Sequence, residues 1–318
     1  MAKSWHEYLV ALEPIRPDLY RYCRQLTGNV WDAEDLVQET LLRVFASLSQ
    51  TLHTVHQPRA YLLRAATNLW IDFARRRATE QRAGRDLALA ETGPDEPRDV
   101  TDAELHEAAT SLLALSAPQE RAAVLLKDVF DLSLEETARV LGTSIGAVKA
   151  ALHRGRARLE ELRSEPPPAR DRAPSELVRR FVSEYNARNL PGLLALMSDS
   201  GTIDLRSVEI ESGRESYGRE RGWFYHNLHS PFDGGSPSHA AWESAVFEGE
   251  EIVLVVVEGG AGADRVVTSV MRLEGTSRID RVSAYAFCPD VVREVAESLG
   301  LACRTIGYHF PLDVSAFE

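Results

Sequence analysis

The sequence predicts a multidomain chain: two all-α domains, the second with a helix-turn-helix, followed by an α+β domain. Three observations predict it. Apolar residues recur at helical spacing through the first half. That half closes on LEETARVLGTSIGAVKAALHRGRARL (Leu134–Leu159), two short helices around a glycine turn, the second with basic outer positions. After three consecutive prolines, Pro166 to Pro168, the apolar period changes from that of helices to that of strands. The resulting boundaries are 1–84 and 108–163 for the helical domains, 85–107 and 164–174 for linkers, and 175–318 for the α+β domain.

Composition supports a folded chain with local rather than blanket polyanion affinity. With 318 residues and 44% hydrophobic content it has material for more than one core. The net charge of −12 argues against general nucleic-acid binding, so any such contact must come from local patches. Residues 175–318 hold 13 Lys and Arg against 22 Asp and Glu, which places most of the acidity in the C-terminal part. No apolar run is long enough to span a bilayer, and the N-terminus lacks a signal-peptide core, so a cytoplasmic protein without membrane contact is expected. Cys23, Cys288 and Cys303 form no CxxC pair, which suits a reducing compartment and offers no zinc framework.

The first domain opens on Leu9, Leu12 and Ile15, then Leu19, Tyr22, Cys23 and Leu26 before Gly28. The next stretch, NVWDAEDLVQETLLRVFASL, is a helix expected to be capped by Asp32. Leu36, Val37, Thr40, Leu41, Val44, Phe45 and Leu48 form its buried stripe, leaving Asp32, Glu34, Asp35, Gln38, Glu39 and Arg43 outside. From charge alone, those carboxylates serve the helix dipole and solubility. A third helix spans roughly Pro58 to Arg77, with Tyr61, Leu62, Ala65, Leu69 and Phe73 inward. Its other face carries Arg64, Asn68, Trp70, Asp72, Arg75, Arg76 and Arg77. Residues 64–85 contain six Arg against Asp72 and Glu80. Basic side chains interleaved with aromatics suit single-stranded nucleic acid, where charge follows phosphates and rings stack on bases. A basic helix C-terminus favoured by the dipole is the plainer explanation of the same residues.

GPDEPRDVTD (Gly93–Asp102), rich in proline and acid, is expected to be extended. Helices resume near Ala103. Ser116, before Pro118 and Gln119, starts a helix with Ala122, Val124, Leu125, Val129 and Phe130 inward. Ser133 precedes Glu136 by capping-box spacing and begins the next helix, whose inner face is Leu134, Ala138, Val140 and Leu141. Gly142 ends it, and Thr143 or Ser144 caps the last helix. Ala147, Val148, Ala151, Leu152, Gly155 and Leu159 give that helix an inner face. Lys149, His153, Arg154, Arg156 and Arg158 project outward, as a major-groove reading helix would require. A helical hairpin with a solvated basic face is the bland alternative.

DAEDLVQETLLRVF followed by PRAYLLRAATNLWIDFARRR resembles the second conserved region of bacterial RNA polymerase sigma factors, and Leu112 to Leu162 resembles their fourth region. The two-region plan is similar to that of the extracytoplasmic-function group. The resemblance implies a factor that binds core RNA polymerase and directs promoter-specific initiation, with no cofactor, metal or catalytic residue. It implies that Asp32, Asp35, Gln38, Glu39 and Arg43 meet the polymerase clamp. It implies that Asn68, Trp70, Asp72, Arg75, Arg76 and Arg77 capture the melted minus-ten element. Ser144, Ala147, Lys149, Ala150, His153, Arg154 and Arg156 would read the minus-thirty-five element, with Arg158 on phosphate. GPDEP is a partial match to a proline-acid linker motif of C-terminally extended members.

Members of that group without an extension end near Arg163, so the remainder needs its own role. Leu177, Phe181 and Tyr185, then Leu193, Leu194 and Leu196 after Pro191, read as helices. GTIDLRSVEI, AWESAVFEG, EEIVLVVVEG, VVTSVMRLEG and RIDRVSAYAF follow as strand-like runs, then a helix at Asp290–Leu299 and a closing run ACRTIGYHF. The layout and the opening YNARNLPGLLALMSDSGTIDL resemble the nuclear-transport-factor-like cone-shaped barrel of SnoaL-type polyketide cyclases. That resemblance implies a pocket lined by residues such as Asp204, Arg206, Trp223, Tyr225, His226, His229, Trp242 and Tyr285, with a small molecule as candidate ligand. It also implies regulation of the helical half in cis, by contact within the chain. The glycine-rich acidic motif of one extended subgroup is absent in clean form; SGRES (Ser212–Ser216) lies nearest its place. His226 and His229 lack a third ligand at telling spacing, so no metal is expected. Two other readings use the same residues: a helix-turn-helix repressor with a ligand-sensing C-terminal domain, and an enzyme with a fused DNA module. The DAEDLVQET helix separates the first from a sigma factor, because a repressor needs no polymerase contact.

Overall fold

A computed structural model describes residues 12–50, 57–88, 117–161, 173–206, 208–219, 222–229, 240–259 and 263–308. The chain divides into two units, Met1–Pro168 and Ala169–Glu318, so the division falls within the second proline-rich linker.

In the first unit, α1 spans Arg16–Thr27, starts with Pro17 in its first turn and ends on Gly28 at φ 83°. It buries Leu19, Tyr22, Cys23 and Leu26 completely. Helix α2 spans Val30–Gln50. Its cap is Asn29 and not Asp32: the Asn29 Oδ1 accepts the Asp32 backbone N–H at 2.8 Å, and the Asn29 amide donates to the Asp32 carboxylate at 2.6 Å. The helix therefore begins earlier than expected, because asparagine fills the capping role as well as aspartate. Leu36, Val37, Thr40, Leu41 and Val44 are buried as expected. Glu34, expected outside, is fully buried and paired with the buried Arg16 of α1.

Helix α3 spans Pro58–Ala88, running beyond Arg77 into the first three residues of the expected linker and one more. Its inward stripe is wider and rotated relative to the expectation. Leu62, Leu63, Ala66, Thr67, Leu69, Trp70 and Ile71 are buried, whereas Phe73 is 42% exposed. Trp70, expected outside, is covered because a further helix packs over it.

That helix is α4, Pro118–Val124, which runs into one π-helical turn at Leu125–Val129. Ala117 occupies the N-cap without a side-chain bond, and Ser116 lies outside the described residues. The Phe130 N–H bonds the Leu125 carbonyl at 3.0 Å, one residue longer than an α-helical turn. The extra residue turns Val129 out, 57% exposed, where helical periodicity expected it inside. Helices α5, Leu134–Leu141, and α6, Ile145–Glu161, complete the unit. Helix α4 contacts α3 and α6, and α5 contacts α3, so the two expected helical domains pack as one body.

The second unit begins with α7, Ser175–Asn186, and α8, Leu190–Leu196. Its strands are β1 (Met197–Leu205), β2 (Glu209–Ser212), β3 (Ala240–Phe247), β4 (Glu250–Gly259), β5 (Ala263–Gly275), β6 (Ile279–Ala284) and β7 (Ala302–Cys303). Two short helices, α9 (Arg214–Gly218) and α10 (Trp223–His229), lie between β2 and β3, and α11 (Pro289–Ser298) between β6 and β7. The run read as one strand, GTIDLRSVEI, is two antiparallel strands around a turn. Among the described residues of ACRTIGYHF, two, Ala302 and Cys303, are strand.

The sheet order is β2-β1-β6-β5-β4-β3, with β7 beside β5. β1 runs parallel to β6, and β7 parallel to β5; the other pairs are antiparallel. The α+β expectation holds, on an open path with β2 and β3 at its ends. A two-residue turn joins β3 to β4, with Glu248 at φ 48° and Gly249 at φ 72°, the twist a tight hairpin favours. Alternation puts Ile203, Leu205, Val253, Val255, Met271, Leu273 and Val282 in one core with Leu177, Phe181 and Tyr185 of α7. The opposite face buries Ile252, Leu254 and Val270, with α11 on β5.

Candidate nucleic-acid interface

The helix-turn-helix is fixed by its caps. The Glu136 N–H donates to Ser133 Oγ at 3.1 Å, and the Ser133 N–H donates to the Glu136 carboxylate at 2.9 Å. These bonds from Ser133 hold the Glu136 carboxyl below its ordinary pKa. Gly142 ends α5 at φ 62°, and Ser144, of the two expected candidates, caps α6 by accepting the Ala147 N–H at 3.2 Å. Val148, Ala151, Leu152 and Gly155 face inward; Ala147 is exposed. Gly155 permits close packing on α4, since a Cβ there would lie 2.8 Å from Val124 Cγ2 and 3.2 Å from the Glu120 carbonyl oxygen.

Ser144, Ala147, Lys149, Ala150, His153, Arg154 and Arg156 are all exposed along one side of this packing. Two of the arginines are held by carboxylates. Arg154 Nε donates to Glu120 at 2.6 Å, and Arg156 binds Asp128 with two bonds of 2.9 and 2.6 Å. The Asp128 hydrogen bond raises the already high Arg156 pKa. Lys127, Lys149, His153 and Arg156 share an open hollow of about 550 Å³. The Arg158 side chain lies outside the described residues.

Helices α2 and α3 bound a second feature, a groove of about 340 Å³. Asp32, Asp35, Leu36, Glu39 and Arg43 line one wall, and Leu69, Trp70, Phe73 and Arg76 the other. The groove thus gathers four of the five residues assigned to polymerase with two of those assigned to melted DNA. The fifth, Gln38, is half-buried outside the groove lining and donates to Glu34 at 3.0 Å. Arg43 bonds Glu39 at 2.7 Å. Asn68 and Asp72 are exposed on α3 outside the groove lining. The side chains of Arg75 and Arg77 lie outside the described residues.

Sequence reasoning missed Arg121. It is 2% exposed, donates from Nε to the Gln25 carbonyl at 3.1 Å, and lies 5.6 Å from the Trp70 ring centroid. Burial, with Arg24 nearby, pulls its pKa down to about 9, so it keeps its charge at neutral pH. Its place beside Ala122 and Ala123 in an otherwise apolar run was the available signal.

The C-terminal pocket residues do not gather as expected. Trp242 is 1% exposed, stacks on Tyr185 at 4.7 Å and is held by two bonds between its backbone and the Asn186 amide. Asp204 is buried on the opposite face of β1 from Leu205, near Arg206 at 3.4 Å and Arg281 at 3.8 Å. Tyr285 is buried beneath Arg206. Tyr225 is half-buried, and the side chains of His226 and His229 lie outside the described residues. Among the described side chains of the expected set, only Trp223 lines the interior cavity, with Leu205, Asn227, Ser269 and Ala284. That cavity measures about 40 Å³, space for a water or two and not for a metabolite. Large aromatic side chains fill the place where a pocket was expected.

Residues 12–80 match the family described as Sigma-70 region 2, and residues 112–159 that described as Sigma-70, region 4. The ECF RNA polymerase sigma factor SigE of Mycolicibacterium smegmatis is 37% identical over 165 residues, covering 50% of this chain and 61% of that protein. The chain therefore spans about six tenths of the length of that relative. The ECF RNA polymerase sigma factor SigW of Bacillus subtilis is 30% identical over 153 residues, covering 45% of this chain and 81% of SigW. Among solved structures, the Mycobacterium tuberculosis extracytoplasmic function sigma factor SigJ is similar at 23% identity and a TM-score of 0.33, over 87% of this chain and 95% of that one. A putative polyketide cyclase from Pseudomonas putida is similar at 18% identity and a TM-score of 0.25, over 38% of this chain and 97% of that one.

Proposed function

Because this chain belongs to the extracytoplasmic-function (ECF) RNA polymerase sigma factors, we propose that it binds core RNA polymerase and directs it to promoter DNA. The observation that carries the reading is the capped α5–α6 pair with an exposed basic face, on the same body as the acidic groove between α2 and α3. Asp32, Asp35, Glu39 and Arg43 meet polymerase. Asn68, Trp70, Asp72 and Arg76, with Arg75 and Arg77, meet the melted strand. Lys149, His153 and the N-terminal turn of α6 read base edges, while Arg154 and Arg156 exchange carboxylates for phosphates. Two modest DNA modules on one polymerase gain through effective concentration, which reconciles promoter specificity with a net charge of −12. The factor catalyses no reaction of its own and works in the cytoplasm.

Residues 1–84 and 108–163 act as the polymerase and promoter modules, and residues 175–318 regulate them in cis. The filled interior of that domain favours regulation by protein contact over capture of a metabolite. The test is run-off transcription with core polymerase on the upstream region of its own gene, comparing the full chain with residues 1–168. Specific initiation by either supports the reading. A change in yield on truncation gives the sign of the C-terminal domain's effect. Binding of that DNA without initiation by either form would overturn it in favour of a repressor.

A further inference from the structure

A hollow of about 660 Å³ opens between the first turn of α3 and helix α5. It shares no lining residue with the basic hollow on α6 or with the groove between α2 and α3. Its floor is apolar and buried: Leu63 of α3, Leu132 of the α4–α5 connection and Val140 of α5. Its rim is basic. Arg59, Arg64 and Arg139 border it, all exposed, against Glu136 as the lining carboxylate. Glu136 is already engaged by the Ser133 N–H and hydroxyl. Arg59 pairs with Asp18 at 3.0 Å, an exposed pair of small worth, and Asp18 also pairs with Arg21. Arg64 and Arg139 form no ion pair among the described residues. With Asp18 and Arg21 counted or left out, the rim has a surplus of two positive charges. Arg64 Nη2 lies 3.8 Å from where a Cβ on Gly142 would sit, so this guanidinium of α3 reaches the end of α5. The first helical bond of α3 runs from the Tyr61 N–H to the Gln57 carbonyl at 3.1 Å. The Arg59 and Ala60 N–H groups before it therefore have no acceptor inside the helix, and they form the positive end of a 31-residue dipole.

These groups together fit a doubly charged anion with a nonpolar body. A phosphate monoester carries about −1.5 to −2 near neutral pH, whereas each phosphodiester of a nucleic acid carries a single charge. Guanidinium groups and helix N-termini bind such oxygens through charge-assisted bonds. The size of the hollow falls within the range of small-molecule sites. We propose that it binds a small phosphate monoester with an aromatic or apolar body. Arg64, Arg139 and the first turn of α3 hold the phosphate, and the body lies on Leu63, Leu132 and Val140 beside the half-buried Tyr61. The proposal does not rest on the sigma reading. A ligand that touches α3 and α5 together also stabilises the helical unit by mass action.

The test is calorimetric titration of the full chain with 1-naphthyl phosphate, a minimal aromatic monoester. Binding should saturate at one per chain. Inorganic phosphate and 1-naphthol each hold half of the chemistry and should bind at least about tenfold more weakly. The singly charged methyl diester of naphthyl phosphate should also be weaker. Arg64→Ala and Arg139→Ala should each weaken 1-naphthyl phosphate by about tenfold, the worth of one charge-assisted bond. Arg64→Lys should lose less, because it keeps the charge and gives up only the planar fork. Ala60→Trp fills the hollow from a half-buried lining position with the arginines intact, and should abolish binding. Arg180→Ala, exposed on α7 and outside the lining, should bind like the parent. Helical circular dichroism verifies that each variant is folded. Absent or unsaturable binding would overturn the site, as would full affinity in both Arg64→Ala and Arg139→Ala. An equal loss in Arg180→Ala would mean attraction by charge alone and overturn it too. Equal affinity for monoester and diester, with competition by a single-stranded oligonucleotide, would reassign these arginines to nucleic-acid phosphate and overturn the small-molecule site.

Discussion

Glu34 of α2 and Arg16 of α1 form an ion pair with both side chains nearly or fully removed from water. Gln38 adds a third member one helical turn along, donating to the same carboxylate at 3.0 Å. Such a pair adds little over an apolar substitute, but removing one partner leaves the other charge in a dry site. Glu34→Ala should lower the stability of the helical unit by about 3 kcal/mol, read from urea denaturation by circular dichroism. Glu34→Gln retains an acceptor for Arg16 and should lose clearly less. Equal losses would mean that the charge is irrelevant and only the packing counts.

That pair also shows where the sequence stops being legible. Helix existence, the caps at Ser133 and Gly142, and four of the six residues expected on the inner face of α6 follow from local chemistry, and the structure has them; Ala147, the first of that set, is exposed instead because it sits in the first turn at the edge of the packing, and the Leu159 side chain lies outside the described residues. Glu34 follows from no local rule. It lies on the flank of its helix, and only the arrival of Arg16 from another helix makes its burial tolerable. Trp70 and Phe73 exchange places for the same reason, because α4 covers one side of α3 and leaves the other bare. Val129 was misplaced because a π-helical turn shifts the period by one residue. In the C-terminal domain the residues expected in one pocket separate for a different reason: polar and aromatic types suited a lining, but strand alternation sends Asp204 to the face opposite Leu205, and Trp242 packs against Tyr185.

The Ser133–Glu136 box gives a pH-dependent prediction. The Glu136 carboxyl is held below its unfolded value by the Ser133 N–H and hydroxyl. A depressed carboxylate pKa contributes stability that is present above the unfolded value and is lost as pH falls through the folded one. Ser133→Ala should cost about 1 kcal/mol at neutral pH through loss of the cap. The gap between parent and variant should narrow on acidification below the carboxylate range. Stability curves against pH for the two proteins check this, and a gap constant down to strong acid would refute the role of Glu136.

Gly155 is a packing glycine rather than a hinge. A methyl group there meets Val124 Cγ2 at 2.8 Å and the Glu120 backbone at 3.2 Å, so α6 must move off α4. Gly155→Ala should destabilise by about 1 to 3 kcal/mol, although alanine is the better helix former. Thermal unfolding measures it. A stabilised variant would show that α6 is not held tightly on α4.

Asp128 competes with DNA for Arg156. Their two hydrogen bonds, 2.9 and 2.6 Å, keep a guanidinium that borders the Lys127–Lys149–His153 hollow neutralised in the free protein. The pair is exposed enough that its own worth is small, so phosphate can displace it. In Asp128→Asn the guanidinium is released without loss of side-chain volume. Binding to duplex DNA should tighten alike for all sequences, since a phosphate contact carries no base information. The slope of log affinity against log salt should steepen by about 0.9, one added phosphate contact. Arg156→Ala in the same background should remove that increment, whereas Lys149→Ala should change discrimination between sequences. Fluorescence anisotropy at four salt concentrations on promoter and scrambled duplexes gives both quantities. An unchanged slope in Asp128→Asn would mean that Arg156 never leaves its carboxylate for phosphate, and the phosphate contacts of α6 would then fall to Lys149, His153 and Lys127.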